Sequence, residues 1–241
     1  MPRIAVILAA GKGTRMASEK PKVLHEAAGK TLLGWVLELA RSSDCDRVIV
    51  VVGHGADEIR ERMAGADLEF AVQSEQLGTG HALLQVESLI EGEAQILVLS
   101  GDVPALRSAT AQRLLTAAED SWGAMVVATL EEPGSLGRVI RGESGELVRC
   151  VEAADACAEE LTIKTVNAGF YVLPAPSIFA LLGRIEPANK QAEIYLPDAL
   201  NTAAAEGERV ACVEVEDPRE AWGVNNRSEL ARIEEVLRQQ L

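Results

Sequence analysis

Hydrophobic residues form short continuous runs in the first half of the chain, and each run except the last is followed by a segment with helical spacing. The runs are IAVIL, RVIVVVG, LEFAVQ, ILVLSGD and AMVVATL, and the segments between them are TLLGWVLELARS, ADEIRERMAG, GTGHALLQVESLI and SATAQRLLTAAED. A continuous apolar run is typical of a strand that is buried on both faces, and strands alternating with helices predict βαβ units. We therefore predict an α/β fold with a mostly parallel sheet covered by helices.

The pattern changes after residue 130. The stretch RVIRGESGELVRCVE alternates between apolar and polar positions and predicts a hairpin around Ser144 and Gly145. Further strands are expected at KTVNAGFYVL and RVACVEVE, with helical segments near 176–183 and 197–206. The second half thus predicts a β-rich insertion over the ligand-binding face of a single domain.

Two helix ends are specified more closely. Ser108 is expected to be the N-cap of the helix at Thr110–Ala118. A last helix is expected from about Ser228, with one apolar face that packs back on the domain. That face comprises Leu230, Ile233, Val236 and Leu237.

Length and cysteine content limit the class of protein. The 241 residues are 48% hydrophobic, enough for one large core or two small ones. No apolar run approaches the roughly 18 residues of a membrane span, and the start of the chain lacks a signal-peptide pattern. The cysteines show no C-x-x-C spacing and suit the reducing cytoplasm, where we expect this protein to act; they are Cys45, Cys150, Cys157 and Cys212.

The formal net charge of −14 argues against nucleic acid or an anionic membrane surface as a partner. The first 22 residues are a local exception, since they concentrate cations with Glu19 as the only acid. These cations are Arg3, Lys12, Arg15, Lys20 and Lys22. We expect an anionic ligand near this basic segment.

Within that segment, the loop LAAGKGTRM directly follows a predicted strand. Glycines there allow a tight turn and a close approach of ligand to backbone N–H groups, which together form an anion-binding concavity. A dinucleotide-binding loop would have a third glycine where Met16 stands, and the Lys-Ser/Thr pair of a P-loop is absent. The loop alone is compatible with a phosphate site or with a surface turn.

The loops VGHGAD, QSEQLGTGHA and LSGDVPAL also follow predicted strands. Because ligands of open α/β sheets bind beyond the carboxyl ends of the strands, these loops are expected to converge on one crevice. Asp102 in LSGDVPAL is placed either to hold a hard cation such as Mg²⁺ or to form an Asx-turn near Pro104.

The combination of motifs is more specific than any one of them. LAAGKGTRM is followed by KPKVL, EQLGTGHA, GDVP, LGRVIR, CVEAADA, VNAGFYVL, AEIYLPDAL and GVNNR, in this order. This series resembles the sugar-nucleotidyltransferase superfamily. It is most similar to the uridyltransferase domain of the bifunctional N-acetylglucosamine-1-phosphate uridyltransferase/glucosamine-1-phosphate acetyltransferase family.

The resemblance implies a Rossmann-like nucleotidyltransferase fold over residues 1–241, with a nucleotide-binding part at about 1–130, a sugar-binding part at about 131–227 and a C-terminal helix at 228–241. It implies that a sugar 1-phosphate attacks the α-phosphorus of UTP with the help of Mg²⁺, giving UDP-N-acetylglucosamine and pyrophosphate. The chain carries no left-handed β-helix pattern, so we expect no acetyl transfer and a monomer or weak dimer.

Site residues follow from the same resemblance. Arg15, Lys22 and Asp102 are expected to be catalytic, and Asp102 and Asn225 to bind Mg²⁺. The expected nucleotide-binding residues are Leu8, Ala9, Ala10, Gly11, Gly13, Thr14, Lys22, Gln73, Gly78, Thr79, Ser100, Gly101, Asp102 and Asn225, and the expected sugar-binding residues are Gly137, Glu152 and Asn167.

The chain departs from the family pattern at Leu136, where an aromatic residue is common, and at Ala192, where a glycine is usual. Both positions lie on the sugar side, so the identity of the sugar is less constrained than uridylyl transfer. The alternatives are a nucleotidyltransferase for another sugar 1-phosphate and a non-catalytic nucleotide-binding regulator. His81 is expected to pack or cap a helix, without a catalytic role.

Overall fold

The structure is a computed structural model that describes residues 1–63 and 67–240. The end of the predicted helical segment ADEIRERMAG and the last residue of the predicted C-terminal helix lie outside the described residues. The strands are β1 (Arg3–Ala9), β2 (Glu26–Ala27), β3 (Lys30–Thr31), β4 (Arg47–Val52), β5 (Leu68–Val72), β6 (Ala94–Ser100), β7 (Gly123–Thr129), β8 (Arg138–Arg141), β9 (Leu147–Val151), β10 (Thr165–Ala175) and β11 (Val210–Glu214). The helices are α1 (Leu32–Arg41), α2 (Ala56–Arg62), α3 (Thr79–Leu84), α4 (Ser108–Glu119), α5 (Ser177–Leu182), α6 (Leu196–Ala205) and α7 (Arg227–Arg238).

The main sheet has the strand order β11-β7-β10-β6-β1-β4-β5. Neighbouring strands are parallel except at β10, which runs antiparallel to both β6 and β7. Helices α1, α2 and α4 pack on one face of the sheet, and α3, α5 and α6 pack on the other. The predicted α/β class with a mostly parallel sheet flanked by helices is confirmed.

Burial explains why the strands have continuous apolar runs. Ala5, Val6 and Ile7 in β1 are all 0% exposed, because their side chains alternate between the two helix-covered faces. No helix in the described part of the chain has the length and apolar character needed to cross a membrane.

The predicted hairpin is present. β8 and β9 pair antiparallel across a turn in which Gly145 has a φ of 80°. The hairpin joins the main sheet through the pairing of Arg138 with Val166 on β10. On its other side, the Asn201 amide of α6 accepts from the backbone N–H of Cys150 and donates to its C=O, both at 2.7 Å. The hairpin is thus anchored to the sheet and to a helix.

Helix α7 packs on its own chain, as the sequence predicts. Asn226 caps it by accepting from the N–H of Glu229 at 2.9 Å. Ile233, Val236 and Leu237 are buried in a third cluster with residues of the basic loop and α1, and Leu230 is partly buried beside them.

The prediction that Ser108 is an N-cap is wrong. Helix α4 begins at Ser108 itself, with Arg107 at the cap position and no side-chain cap. The Glu220 carboxylate accepts there from the Arg107 N–H at 3.0 Å and from the Thr110 hydroxyl at 2.6 Å. The Ser108 hydroxyl lies instead 3.3 Å from that of Ser42. A carboxylate distant in sequence replaces the local cap.

Candidate active site

The carboxyl ends of β6, β1, β4 and β5 lie side by side at one edge of the sheet, since these neighbouring strands are parallel. A cleft of about 400 Å³ opens there. It is lined by many residues that the sequence predicts as site residues, namely Leu8, Ala9, Ala10, Gly11, Lys22, Gln73, Gly78, Thr79, Ser100, Asp102 and Glu152. Three of the strand-end loops thus converge on this cleft as predicted, whereas VGHGAD contributes none of its lining residues.

The basic loop after β1 depends on its glycines in two ways. Gly13 has a φ of 60°, and a Cβ at this position would lie 2.7 Å from Cβ of Lys22, so only glycine lets the Lys22 backbone come this close. A Cβ added to Gly11 would have no neighbouring atom within 4 Å, so the cleft side of this residue is open to a ligand.

Lys22 connects the two predicted metal ligands. Its ammonium forms an ion pair with Asp102 Oδ2 and donates to Asn225 Oδ1 at 3.2 Å. The Arg15 guanidinium donates to the same Asn225 oxygen at 3.1 Å. The backbone supports this contact, because the N–H of Val224 donates to the C=O of Asp102 at 2.9 Å. Hydrogen bonds and an ion pair thus link four side chains that are predicted to be catalytic or metal-binding, namely Arg15, Lys22, Asp102 and Asn225.

The side-chain contacts of Asp102 decide between the two interpretations of its loop. Among the described residues, its carboxylate bonds to Lys22 and not to the backbone near Pro104, so no Asx-turn forms. A carboxylate oxygen and an amide oxygen that share one cation are hard donors of the kind that Mg²⁺ prefers. The donor set therefore fits a hard cation such as Mg²⁺.

Gln73 follows β5 and is 3% exposed. Its backbone N–H donates to Val52 C=O at 2.8 Å, and its side-chain Nε2 lies 3.0 Å from both Gly78 C=O and His81 Nδ1. Gly78 has a φ of 100°, and a Cβ there would lie 2.5 Å from Ile194 C=O. This loop therefore fixes the Gln73 amide at the cleft wall, and the contact with His81 is one that the sequence analysis missed.

The three predicted sugar-side residues are neighbours. The Asn167 N–H donates to Gly137 C=O at 2.9 Å. A Cβ on Gly137 would lie 3.3 Å from Glu152 Oε1, so glycine leaves room for that carboxyl group. The Asn167 side chain bonds to the Tyr171 hydroxyl and to the Gly169 N–H, at 2.7 and 3.0 Å.

Burial raises the pKa of Glu152 to about 7, and nearby Asp198, Asp155 and Glu193 add to the shift. Burial also raises the pKa of Glu193. Glu152 and Glu193, which both line the cleft, thus hold their protons more tightly than carboxyl groups in water do.

Glu193, Tyr195 and Gln191 line the cleft although the sequence analysis assigns them no role. Their segment runs beside the Gln73 loop, since the N–H of Ile194 donates to Leu77 C=O at 2.7 Å and the N–H of Gly80 donates to Ile194 C=O at 2.8 Å. The position of Glu193 and Tyr195 within AEIYLPDAL was the available signal, and Gln191 directly precedes that block. Gln76 is a further cleft residue of this kind, in the block EQLGTGHA.

Some predicted residues do not line the cleft itself. Arg15 and Asn225 reach its edge through Lys22, and Gly137 and Asn167 lie behind Glu152. The Gly101 N–H donates to Leu8 C=O at 3.0 Å and so positions the loop that carries Asp102. Gly13 and Thr14 lie in the basic loop, where the exposed Thr14 begins a 3₁₀ turn.

Comparison with known proteins assigns the class. Residues 5–187 match the family model of the MobA-like NTP transferase domain. The chain therefore belongs to the MobA-like NTP transferase family of nucleotidyltransferases.

Among curated proteins, the chain is similar to the bifunctional protein GlmU of Burkholderia orbicola strain AU 1054. The two are 44% identical over 231 residues, which is 96% of this chain and 51% of the relative. The bifunctional protein GlmU of Stutzerimonas stutzeri strain A1501 is also 44% identical, over 95% of this chain and 50% of its own length. The chain thus spans about half the length of the curated relatives that it matches.

Solved structures share the fold at lower identity. A UDP-glucose pyrophosphorylase complexed with UDP-glucose aligns over 100% of both chains with a TM-score of 0.80 and 21% identity. A putative glucose-1-phosphate thymidylyltransferase from Bacillus anthracis covers 98% of this chain and 95% of its own, with a TM-score of 0.79 and 14% identity. The mixed sheet with flanking helices is the fold of these nucleotidyltransferases.

Proposed function

We propose that this chain transfers uridylyl from UTP to N-acetylglucosamine 1-phosphate, producing UDP-N-acetylglucosamine and pyrophosphate. The observation that carries the proposal is the contact of Lys22 with both Asp102 and Asn225 in a cleft that also contains Gln73 and Glu152. Similarity to the GlmU proteins over nearly the whole chain supports the same activity.

The proposed chemistry requires no side-chain nucleophile. The sugar phosphate is already an anion, so the site must position two phosphate groups in line and neutralise the charge that they bring together. We assign this task to Lys22 and Arg15, which lie side by side at the Asn225 oxygen. Backbone N–H groups of residues 10–14 would bind the triphosphate.

Asp102 and Asn225 would hold Mg²⁺ together with the phosphates. The ion supplies neutralisation of the phosphate oxygens and of the departing pyrophosphate. In the described residues no group of three or more His, Cys, Asp or Glu side chains is close enough to hold a metal. Two protein ligands completed by substrate oxygens are typical of protein Mg²⁺ sites.

Gln73, Gly78 and Thr79 are assigned to uracil, and Gly137, Glu152 and Asn167 to the sugar. The first group follows β5, whereas Glu152 enters the cleft just after β9, with Gly137 and Asn167 behind it. This division supports the proposed nucleotide-binding part at 1–130 and sugar-binding part at 131–227. It also suits substrates that meet at their phosphates.

We propose a monomer or weak dimer in the cytoplasm. The apolar face of α7, the candidate pairing surface, is used within the chain: Ile233 and Leu237 are 1% and 0% exposed. Light scattering at several protein concentrations tests this part of the proposal, and a tight trimer would contradict it.

The activity is tested by measuring pyrophosphate release from UTP and Mg²⁺ with a panel of sugar 1-phosphates. The expected result is release that requires N-acetylglucosamine 1-phosphate and stops when EDTA is added. Preference for glucose 1-phosphate would instead identify a nucleotidyltransferase for another sugar, in line with the departures at Leu136 and Ala192. Nucleotide binding without pyrophosphate release from any pair would identify a regulator.

A further inference from the structure

We propose that His81 is a positioning residue for nucleotide selection: its Nδ1 accepts a hydrogen bond from Gln73 and so makes the Gln73 amide present oxygen, not nitrogen, to the base. This inference rests on the proposed use of UTP. It concerns the orientation of one amide group, which the proposed function leaves open.

The argument begins with the Gly78 carbonyl. This oxygen can only accept, so the Gln73 atom that lies 3.0 Å from it must be the amide nitrogen. The same nitrogen lies 3.0 Å from His81 Nδ1. An amide nitrogen has two hydrogens, and the two contacts use both of them if Nδ1 carries no proton.

The tautomer of His81 follows from this count. An imidazole with its proton on Nε2 gives Nδ1 a free lone pair for the second hydrogen of Gln73. The opposite tautomer would place an N–H against the Gln73 NH₂ group. On the far side of the ring, the Gln85 amide nitrogen lies 3.3 Å from His81 Nε2 and donates to the His81 backbone C=O at 2.9 Å. A neutral imidazole has one acceptor nitrogen for these two amide groups. We assign it to Nδ1, because the contact with Gln73 is the shorter one, at 3.0 Å, and Gln85 has the backbone carbonyl as its own acceptor.

The Gln73 oxygen is then the part of the amide available to a ligand. Among the described residues, no side-chain hydrogen bond ends on Oε1, and Oε1 is not one of the buried atoms that lack a partner. Since Gln73 lines the cleft, this oxygen is open to it.

An oxygen at this position distinguishes pyrimidine bases. N3 of uracil carries a hydrogen and can donate to the Gln73 oxygen, whereas N3 of cytosine is an acceptor and would meet it without a hydrogen bond. A buried polar group left unpaired is an efficient source of discrimination. If the amide rotated, its NH₂ group would suit cytosine, so the preference depends on the two acceptors that prevent rotation, the Gly78 carbonyl and His81 Nδ1.

The test compares UTP and CTP as substrates by kcat/KM, and as ligands by calorimetry, for wild type and four variants. His81→Leu and His81→Phe remove the acceptor with different side-chain volumes. His81→Asn keeps an acceptor oxygen near the position of Nδ1. Gln85→Leu, the matched control, removes the contact on the other side of the ring and leaves the bond to Gln73.

We expect His81→Leu and His81→Phe to lower the preference for UTP over CTP by about tenfold or more. The rise in kcat/KM for CTP should be larger than any change in kcat for UTP. His81→Asn should restore most of the preference, and Gln85→Leu should retain it. Thermal unfolding of each variant separates this effect from loss of the fold.

The outcomes separate the two proposals. Wild type that does not prefer UTP contradicts the proposed function. Wild type that prefers UTP, with an unchanged preference in the Leu and Phe variants or an equal loss in Gln85→Leu, overturns the role of His81. A second measurement needs no variant: in the ¹⁵N spectrum of histidine-labelled wild type, a protonated His81 Nδ1 also overturns it.

Discussion

Lys22 Nζ and Asn225 Oδ1 lie 3.2 Å apart, although 203 residues separate them in the chain. The segment that carries Asn225 is held there by a backbone bond from Val224 to Asp102, at 2.9 Å. Lys22 and the two proposed metal ligands, Asp102 and Asn225, therefore form one structural unit. Replacing any one of these three side chains disturbs the surroundings of the other two.

Asp102→Ala should lower turnover about a thousandfold or more, because loss of Mg²⁺ removes several kcal/mol of charge stabilisation in the transition state. The backbone C=O that accepts from Val224 is kept, so the fold should persist. Pyrophosphate release at saturating Mg²⁺ and circular dichroism are the measurements. Asp57→Ala, at a fully exposed side chain of α2, is the control and should behave as wild type.

Lys22→Ala and Arg15→Ala should lower kcat more than they weaken UTP binding, since their charges matter most as pyrophosphate departs. Rapid-quench kinetics and calorimetry measure the two effects separately. Lys164→Ala, which removes an exposed lysine paired with Glu131, serves as the control. Equal losses in rate and affinity would show instead that Lys22 and Arg15 bind the ground state.

A comparison of Gly13→Ala with Gly145→Ala separates the effect of backbone strain from the effect of displacing Lys22. Both glycines have positive φ, 60° and 80°, and either alanine should cost about 1–2 kcal/mol of stability. Only the Cβ at position 13 meets Lys22, at 2.7 Å, whereas position 145 has open space. We expect about a hundredfold loss of activity in Gly13→Ala alone. Similar activities in the two variants would contradict the steric argument.

Glu152→Gln should stabilise the protein at pH 8 but not near pH 4. The folded-state pKa of Glu152 is about 7, against 4.5 for the unfolded chain. Between these values the unfolded chain loses its proton first, so the free energy of unfolding of wild type falls as pH rises. The total loss is up to about 3 kcal/mol, and glutamine avoids it.

Urea unfolding of wild type and Glu152→Gln across this pH range measures the difference directly. Glu143→Gln, at an exposed position in the hairpin turn, provides the control. A stability difference that stays constant from pH 4 to pH 8 would show that Glu152 has an ordinary pKa in the folded protein.

Ala192→Gly should raise the free energy of unfolding by about 1 kcal/mol. Ala192 has a φ of 54°, in the left-handed region where glycine is free of the strain that a Cβ causes. The opposite result is expected for Ala199→Gly within α6, which should lose about 1 kcal/mol. Loss of stability in both variants would mean that Ala192 is unstrained.

The strands were predictable because a fully buried strand has no polar face; Ile4–Ala9 and Val48–Val52 are apolar for this reason. Helix ends were less predictable. The helical segment after Gly78 gives only α3 and a 3₁₀ turn at Glu87–Leu89, since Gln85 and Val86 bond to residues three positions earlier. At Ser108, the deciding partner is Glu220, which local sequence does not reveal.

The site residues, too, were only partly predictable from the local sequence. Local pattern suggested a phosphate at the glycine loop and an open choice for Asp102, while the partnership of Asp102 with Asn225 came from resemblance to a family. Neither source indicated the contact between Gln73 and His81, because a hydrogen bond between a strand end and a helix depends on side-chain geometry in three dimensions. The unusual φ of Ala192 was indicated only by the absence of the usual glycine.

The pairing of strand β10 limits how the two parts of the chain can move relative to each other. This strand pairs with β6 in the proposed nucleotide-binding part, with β7 on its other side and with β8 of the hairpin. The proposed sugar-binding wall is thus hydrogen-bonded into the same sheet as the proposed nucleotide-binding wall, so we expect no rotation of the two about a hinge. We expect substrate entry and product escape to rely instead on loop and side-chain motions at the rim, chiefly in residues 10–24 and 188–195. Amide exchange in β10 should accordingly be as slow with ligands as without them, while these two segments change.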